Sequence, residues 1–207
     1  AHDTRSRVES AIAQTGYIAN SAAQPLRRQE ARTVLVAVPD LGNTFFSELI
    51  SGMEAVARHR GVAVLVADVP RDPSAGKRLV EVLNAGRADG ALLLHGALLP
   101  GRGGWTTVTV CEELSDPELA VTHVGIDNVA AAQEATEHLL AMGHTHIVHL
   151  TGPPDTILTQ QRREGYAAAM LSAGARPLLL DGDFSIASGY SAGELLAAEG
   201  LPDAVFC

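Results

Sequence analysis

The chain has 207 residues, 46% of them hydrophobic and only 4% aromatic, and a net charge of −9. That length buries one large core or two modest ones, and so few aromatics favour an alanine- and valine-rich α/β protein over an all-β one. No apolar run approaches the ~20 residues of a membrane helix, no apolar signal-peptide core opens the chain, and Cys111 and Cys207 form no CxxC pair; these features argue against a membrane span and a disulfide framework and imply a reducing, cytoplasmic setting.

The chain begins with a polar, arginine-bearing helix in "TRSRVESAIAQT" that has nothing obvious to pack against. Residues 1–32 hold Arg5, Arg7, Arg27, Arg28 and Arg32 against Asp3, Glu9 and Glu30, a net of +2, so the remainder carries −11. A basic head on an acidic body suits a chain whose head alone meets a polyanion; a solvated tail gives the same balance.

After residue 32, strands and helices alternate. "TVLVAV" (33–38) is an apolar, β-branched run of the kind buried on both sheet faces. Phe46, Leu49, Ile50, Met53, Val56 and Ala57 then recur at helical spacing, and Gly61 ends that helix. "VAVLVA" (62–67) is the second strand. Asp72-Pro73 reads as the cap and first residue of a helix burying Leu79, Val82 and Leu83. "GALLLHG", "WTTVTV" and "VTHVGID" follow as strands around a Gly-rich loop. A helix from about 129 to Met142 stops at Gly143, and "HIVHLTG" is a strand. A helix over roughly 157–172 stops near Gly174, "PLLL" is a short strand, and Ser185 starts a last helix before the strand "DAVFC". Repeated β-α units predict parallel sheets with helices on both faces and ligands beyond the carboxyl ends of the strands. "DAVFC" reads as a central strand with no helix after it, and Ala1 is no initiator, so a fragment of a longer chain is expected.

Four motifs bear on chemistry. "GYSAG" (189–193) matches a nucleophile elbow with Ser191, but Ser191 falls inside a helical pattern and no His follows it. "GRGG" (101–104) lacks the strand-to-helix spacing of a dinucleotide loop. His144, His146 and His149 in "GHTHIVH" do not converge as metal ligands would, since 146 and 149 face opposite sides of a strand. Arg162, early in a helix after the "GPPD" loop, is placed to make bidentate hydrogen bonds to hydroxyls or carbonyls above the sheet; a solvated surface arginine fits the position equally. Phe45 and Phe46 follow the first strand, and Phe184 lies on a later strand-end loop. Three aromatics and an arginine there suggest a small cyclic ligand; all three rings as core is the other reading. No carboxylate pair, Cys–His pair or activated serine converges, so the site reads as built to bind and not to react.

The ordered set "TRSRVESAIAQTGYIANSAAQPLRR", "RTVLVAVPDLGNTFFSELISGMEAVARHRG", "ADGALLL", "VGIDN", "LLAMGHTHIVHLTGP", "RREGY", "GDFS..SGY" and "PDAVFC" resembles the lac, galactose and purine repressor family of bacterial transcriptional regulators. The details are most similar to its cytidine-responsive repressor branch, and the match covers nearly every residue. The resemblance implies a residual DNA-binding headpiece helix and hinge over 1–31. Two doubly wound parallel-sheet subdomains of the periplasmic-binding-protein kind would follow, over 32–126 and, in part, 127–207. It also implies an effector-responsive repressor, with no enzymatic activity, cofactor or metal. A nucleoside or sugar would bind between the subdomains of a homodimer and set operator affinity.

By the same resemblance, Asn20, Leu26, Arg27 and Arg28 would meet DNA. Leu26 takes the place of the leucine that wedges into the minor groove, and the arginines lie at phosphates. Phe45, Phe46, Asp127, Arg162 and Phe184 match positions lining the effector cleft or the crossing between subdomains. The helix-turn-helix is expected before residue 1. Pro25 stands where the hinge should be helical, which works against a hinge helix. An acidic cleft residue of the family is expected beyond residue 207. The alternative from another class is a solute-binding protein for sugar or nucleoside transport, which a signal peptide would favour and the basic head with Leu26 disfavours.

Overall fold

The computed structural model describes residues 2–16, 30–69, 75–94, 105–113 and 121–207. Asn20, Pro25, Leu26, Arg27, Arg28, the Asp72-Pro73 cap and "GRGG" lie outside the described residues. Helix α1 (His2–Thr15) is polar, and its described side chains are exposed, with one surface Arg5–Glu9 pair at 2.9 Å.

Five parallel strands form the first sheet: β1 (Thr33–Val38), β2 (Ala63–Asp68), β3 (Gly90–Leu93), β4 (Thr106–Val110) and β5 (Thr122–Val124), in the order β2-β1-β3-β4-β5. Strand β1 is central, which explains its uninterrupted apolar run. Alternate residues point to opposite faces. Leu35 and Ala37 pack with Leu79 and Leu83 of α3 (Ala75–Asn84), while Val36 and Val38 pack with Phe46, Leu49, Ile50 and Met53 of α2 (Thr44–Arg60). One strand therefore serves two cores, as a doubly wound sheet requires. Asn43 caps α2 by accepting from the Phe45 N–H, and Gly61 ends the helix at φ 63°, a left-handed conformation open to glycine without strain.

The second sheet has three parallel strands, β6 (Ile147–Leu150), β7 (Leu178–Leu180) and β8 (Ala204–Phe206), in the order β7-β6-β8. Strand β8 pairs with β6 among the described strands. Helices α4 (Asn128–Ala141) and α5 (Ile157–Ser172) pack closely together and α6 (Ile186–Glu199) follows β7. Ser191 lies in the second turn of α6, exposed and away from any strand-to-helix elbow.

The two sheets repeat one plan. In each, the first strand sits between the second and third, and one aspartate fastens it to the third. The Asp89 carboxylate, just before β3, accepts from the N–H groups of Ala31 and Thr33, while its own N–H donates to the Thr33 carbonyl. Asp203, just before β8, does the same with the N–H groups of Thr145 and His146 and the His146 carbonyl. These bonds hold the Asp203 carboxyl below its usual range.

The core of the second unit gathers around Tyr166, Ile147 and Met170. The Tyr166 hydroxyl donates to the Ile147 carbonyl at 2.7 Å and accepts from the Leu178 N–H at 2.9 Å, tying α5 to β6 and β7. His149 is buried beside it, its ring 4.6 Å from that of Phe206. The Phe206 carbonyl can only accept, so Nδ1 of His149 carries the proton, and Nε2 is buried with no hydrogen-bond partner. The three histidines of "GHTHIVH" have separate surroundings: His144 is in the turn, His146 is exposed just before β6, and His149 is in the core.

Burial pushes the His149 pKa down, opposed by the Phe206 hydrogen bond and helped by the charges of Arg162 and Arg163. A native pKa below the unfolded value of ~6.5 means protons bind the unfolded chain better. The contribution of His149 to stability is therefore complete above pH ~6.5 and is lost as pH falls below it. Melting temperatures at pH 7.5 and 5.5 should differ more for the native chain than for His149→Phe. Equal differences would contradict this role.

Candidate functional site

The carboxyl ends of the strands present the side chains that the sequence singles out. Beyond β1, Phe45 and Phe46 open α2 with their rings edge to face at 5.3 Å. Phe46 turns into the core beside Val36 and Val38, leaving Phe45 as the exposed ring, 53% accessible. Helical periodicity puts 46, and not 45, in phase with Leu49, Ile50 and Met53.

Beyond β4 the chain makes a tight turn. The Glu112 N–H donates to the Val110 carbonyl at 2.9 Å around Cys111, which stands at φ 70°. This is a positive-φ γ-turn, a strained form in a non-glycine residue. Glu112 is buried there. Burial raises the Cys111 pKa, and the positive charge of Arg162 opposes the rise.

Beyond β5, residues 125–127 cross from one sheet to the other. Asp127 caps α4, its Oδ1 accepting from the Ala130 N–H at 2.9 Å. The next residue, Asn128, is buried; its Oδ1 accepts from Arg162 Nε–H at 3.2 Å and its Nδ2 donates to the Ile126 carbonyl at 3.2 Å.

Beyond β6 and β7 lie the loops that carry Gly152 and Phe184. Phe184 takes φ 67°, held by an Asp183 carboxylate that accepts from the Ser185 N–H and by Ser185 capping α6 through the Ser188 N–H. The serine hydrogen bonds, with the Ser185 N–H, bring the exposed Asp183 carboxyl down to about 2. The Phe184 ring lies where a β-carbon on Gly152 would be, so only glycine fits beneath it. The guanidinium carbon of Arg162 sits 5.9 Å from the centre of that ring, within cation–π range.

The structure therefore brings Arg162, Phe184 and Asn128 together beside Gly152, with Cys111 within electrostatic reach. Phe45 and Phe46 form a separate pair on the first sheet. Asp127 has a structural task, the α4 cap. Asn128, Gly152 and Cys111 escaped sequence reasoning. Asn128 alone had a local signal, a polar side chain one residue after a cap, where the buried face of α4 begins. A separate open groove of about 550 Å³, lined by Ala131, Glu134, Ala135, His138, Leu139 and Phe206, contains none of these residues. No helix among the described residues is long and apolar enough to cross a membrane.

A family profile described as periplasmic binding proteins and sugar binding domain of the LacI family matches residues 31–207. The HTH-type transcriptional repressor CytR of Escherichia coli K12 is 34% identical over 99% of this chain and 62% of its own length. The ribose operon repressor of the same organism is 30% identical over 97% of this chain and 63% of its length. Among solved structures, a lac repressor dimer bound to operator and the anti-inducer ONPF has a TM-score of 0.81 at 25% identity, covering 99% of this chain and 64% of that one. A CelR–cellobiose complex has a TM-score of 0.73 at 30% identity, over 99% and 64%. The chain thus spans less than two thirds of the length of these relatives.

Proposed function

Because the chain belongs to the LacI family of effector-binding regulators and periplasmic binding proteins, we propose that it forms the effector-binding part of a transcriptional repressor. The observation that carries this is the Arg162 guanidinium, held over Phe184 and bonded to Asn128 beside the crossing between the sheets. A cation held over an aromatic ring suits a small polar ring, a nucleoside or a sugar. Arg162 donates to its hydroxyls or carbonyls, and Phe184 and Phe45 cover its faces. Phe46 supports Phe45 from the core, and Asp127 fixes the crossing through its cap. Residues 32–126 and 127–207 act as the two effector subdomains, the second in part.

Residues 1–31 act as the end of the headpiece and the hinge. There Asn20, Leu26, Arg27 and Arg28 meet operator DNA in a homodimer. Effector binding changes how the subdomains sit, and so changes operator affinity, a coupling between two sites. The similar proteins are transcriptional repressors, which supports a binding role for the site.

A second reading, a solute-binding protein for transport, is favoured by the other half of the family description. One experiment separates them. The full gene product containing these residues is titrated onto its promoter DNA with and without a saturating nucleoside or sugar. A several-fold change in DNA affinity on adding the small molecule is expected. Small-molecule binding with no DNA affinity would support transport and overturn the repressor reading.

A further inference from the structure

We infer that Asn128 is the positioning residue that aims Arg162 and ties it to the segment crossing between the two sheets. The inference rests on the reading of Arg162 as an effector contact. Asn128 is 5% exposed, so its amide needs partners inside the protein. It has one at each end. Nδ2 donates to the Ile126 carbonyl and Oδ1 accepts from Arg162 Nε–H, both at 3.2 Å. The orientation is forced: a guanidinium offers no acceptor and a carbonyl offers no donor, so the flipped amide would lose both bonds.

Two constraints then act on one planar group. The bond through Nε restrains the guanidinium, and the Phe184 ring centre stands 5.9 Å from its carbon, within cation–π range. The Nη edge remains, with its parallel N–H donors, as the part available to a ligand that offers two neighbouring acceptors. Ile126 belongs to the crossing between β5 and α4. A continuous chain of hydrogen bonds thus runs from the crossing, through Asn128, to the effector contact. Any rotation of the guanidinium on binding pulls on the peptide that joins the two sheets.

The test is made on the full gene product containing these residues. In the native protein, the Arg162 Nε–H should exchange with solvent at least tenfold more slowly than that of Arg163, the exposed neighbour on α5. Asn128→Asp keeps the acceptor and should keep the protection, whereas Asn128→Leu should abolish it. Equal exchange at Arg162 and Arg163 in the native protein, or protection that survives Asn128→Leu, would overturn the inference. The native comparison decides the matter even if the leucine variant does not fold.

Calorimetric titration with cytidine and with D-ribose then reads the functional side. Asn128→Leu should weaken binding about tenfold in the native background and have no further effect in an Arg162→Ala background. Additive losses would overturn the positioning role. Arg162→Ala with unchanged affinity, or no binding of either probe, would count against the effector reading, and the exchange measurement would still decide the tie.

Discussion

Gly165→Ala is expected to destabilise the protein by about 3 kcal/mol, lowering the melting temperature by roughly 10 °C. Gly165 is buried on α5, where that helix meets α4. A β-carbon there would overlap the Val129 carbonyl oxygen and stand 2.9 Å from the Gln133 nitrogen and 3.0 Å from the Ala132 β-carbon. Two of these three are backbone atoms, so no rotamer change relieves the clash and the helices must separate. Separation would loosen Tyr166 and the hydrogen bonds it makes to β6 and β7. The sign is informative, since alanine in a helix interior is intrinsically better than glycine by about 1 kcal/mol. Gly189→Ala on α6, where nothing lies within 4 Å of the new carbon, should instead be neutral or stabilising. Thermal melts of the two variants check the pair of expectations. A Gly165→Ala protein as stable as the native one would contradict the close packing of α4 on α5.

Arg162→Ala should weaken effector binding more than tenfold, about 1.4 kcal/mol or more, with the fold retained. The loss follows from ligand acceptors left without donors in a half-buried site. The fold should survive because the effects on stability oppose each other. Asn128 loses a partner, which costs about 1 kcal/mol. Burial, however, already works against the charge of Arg162 and lowers its pKa, with Cys111 opposing that shift, so removing the charge relieves a desolvation penalty. Arg162→Lys should fall between the two, since an ammonium keeps the charge and loses the planar fork. Calorimetry with melting curves on the same samples checks both parts. Unchanged affinity in the alanine variant would remove Arg162 from the effector site.

Much of the fold was legible in the sequence. "TVLVAV" is apolar at every position because β1 packs Leu35 and Ala37 against one helix and Val36 and Val38 against another. Gly61 and Ser185 punctuate helices as their chemistry demands. Arg162 and Phe184 were legible as candidates by their place after parallel strands, and the structure brings them together. What escaped depends on contacts distant in sequence. Asn128 and Arg162 are 34 residues apart, and no local pattern announces their bond. The positive φ of Cys111 and Phe184 follows from the tight turns around them and from the space over Gly152, not from residue preference. The shared roles of Asp89 and Asp203 were written in "ADGALL" and "PDAVF" and emerge only once both sheets are seen.

The most direct test of the account is a residue-resolved NMR titration of the full gene product with a panel of nucleosides and monosaccharides, cytidine first. One member is expected to shift the amides of Cys111, Asn128 and Phe184 and the Arg162 Nε–H together, with a single Kd. The loops of both sheets would then report one event. Shifts confined to one sheet, shifts at the groove beside α4 and Phe206, or no response to any member at these positions would contradict it.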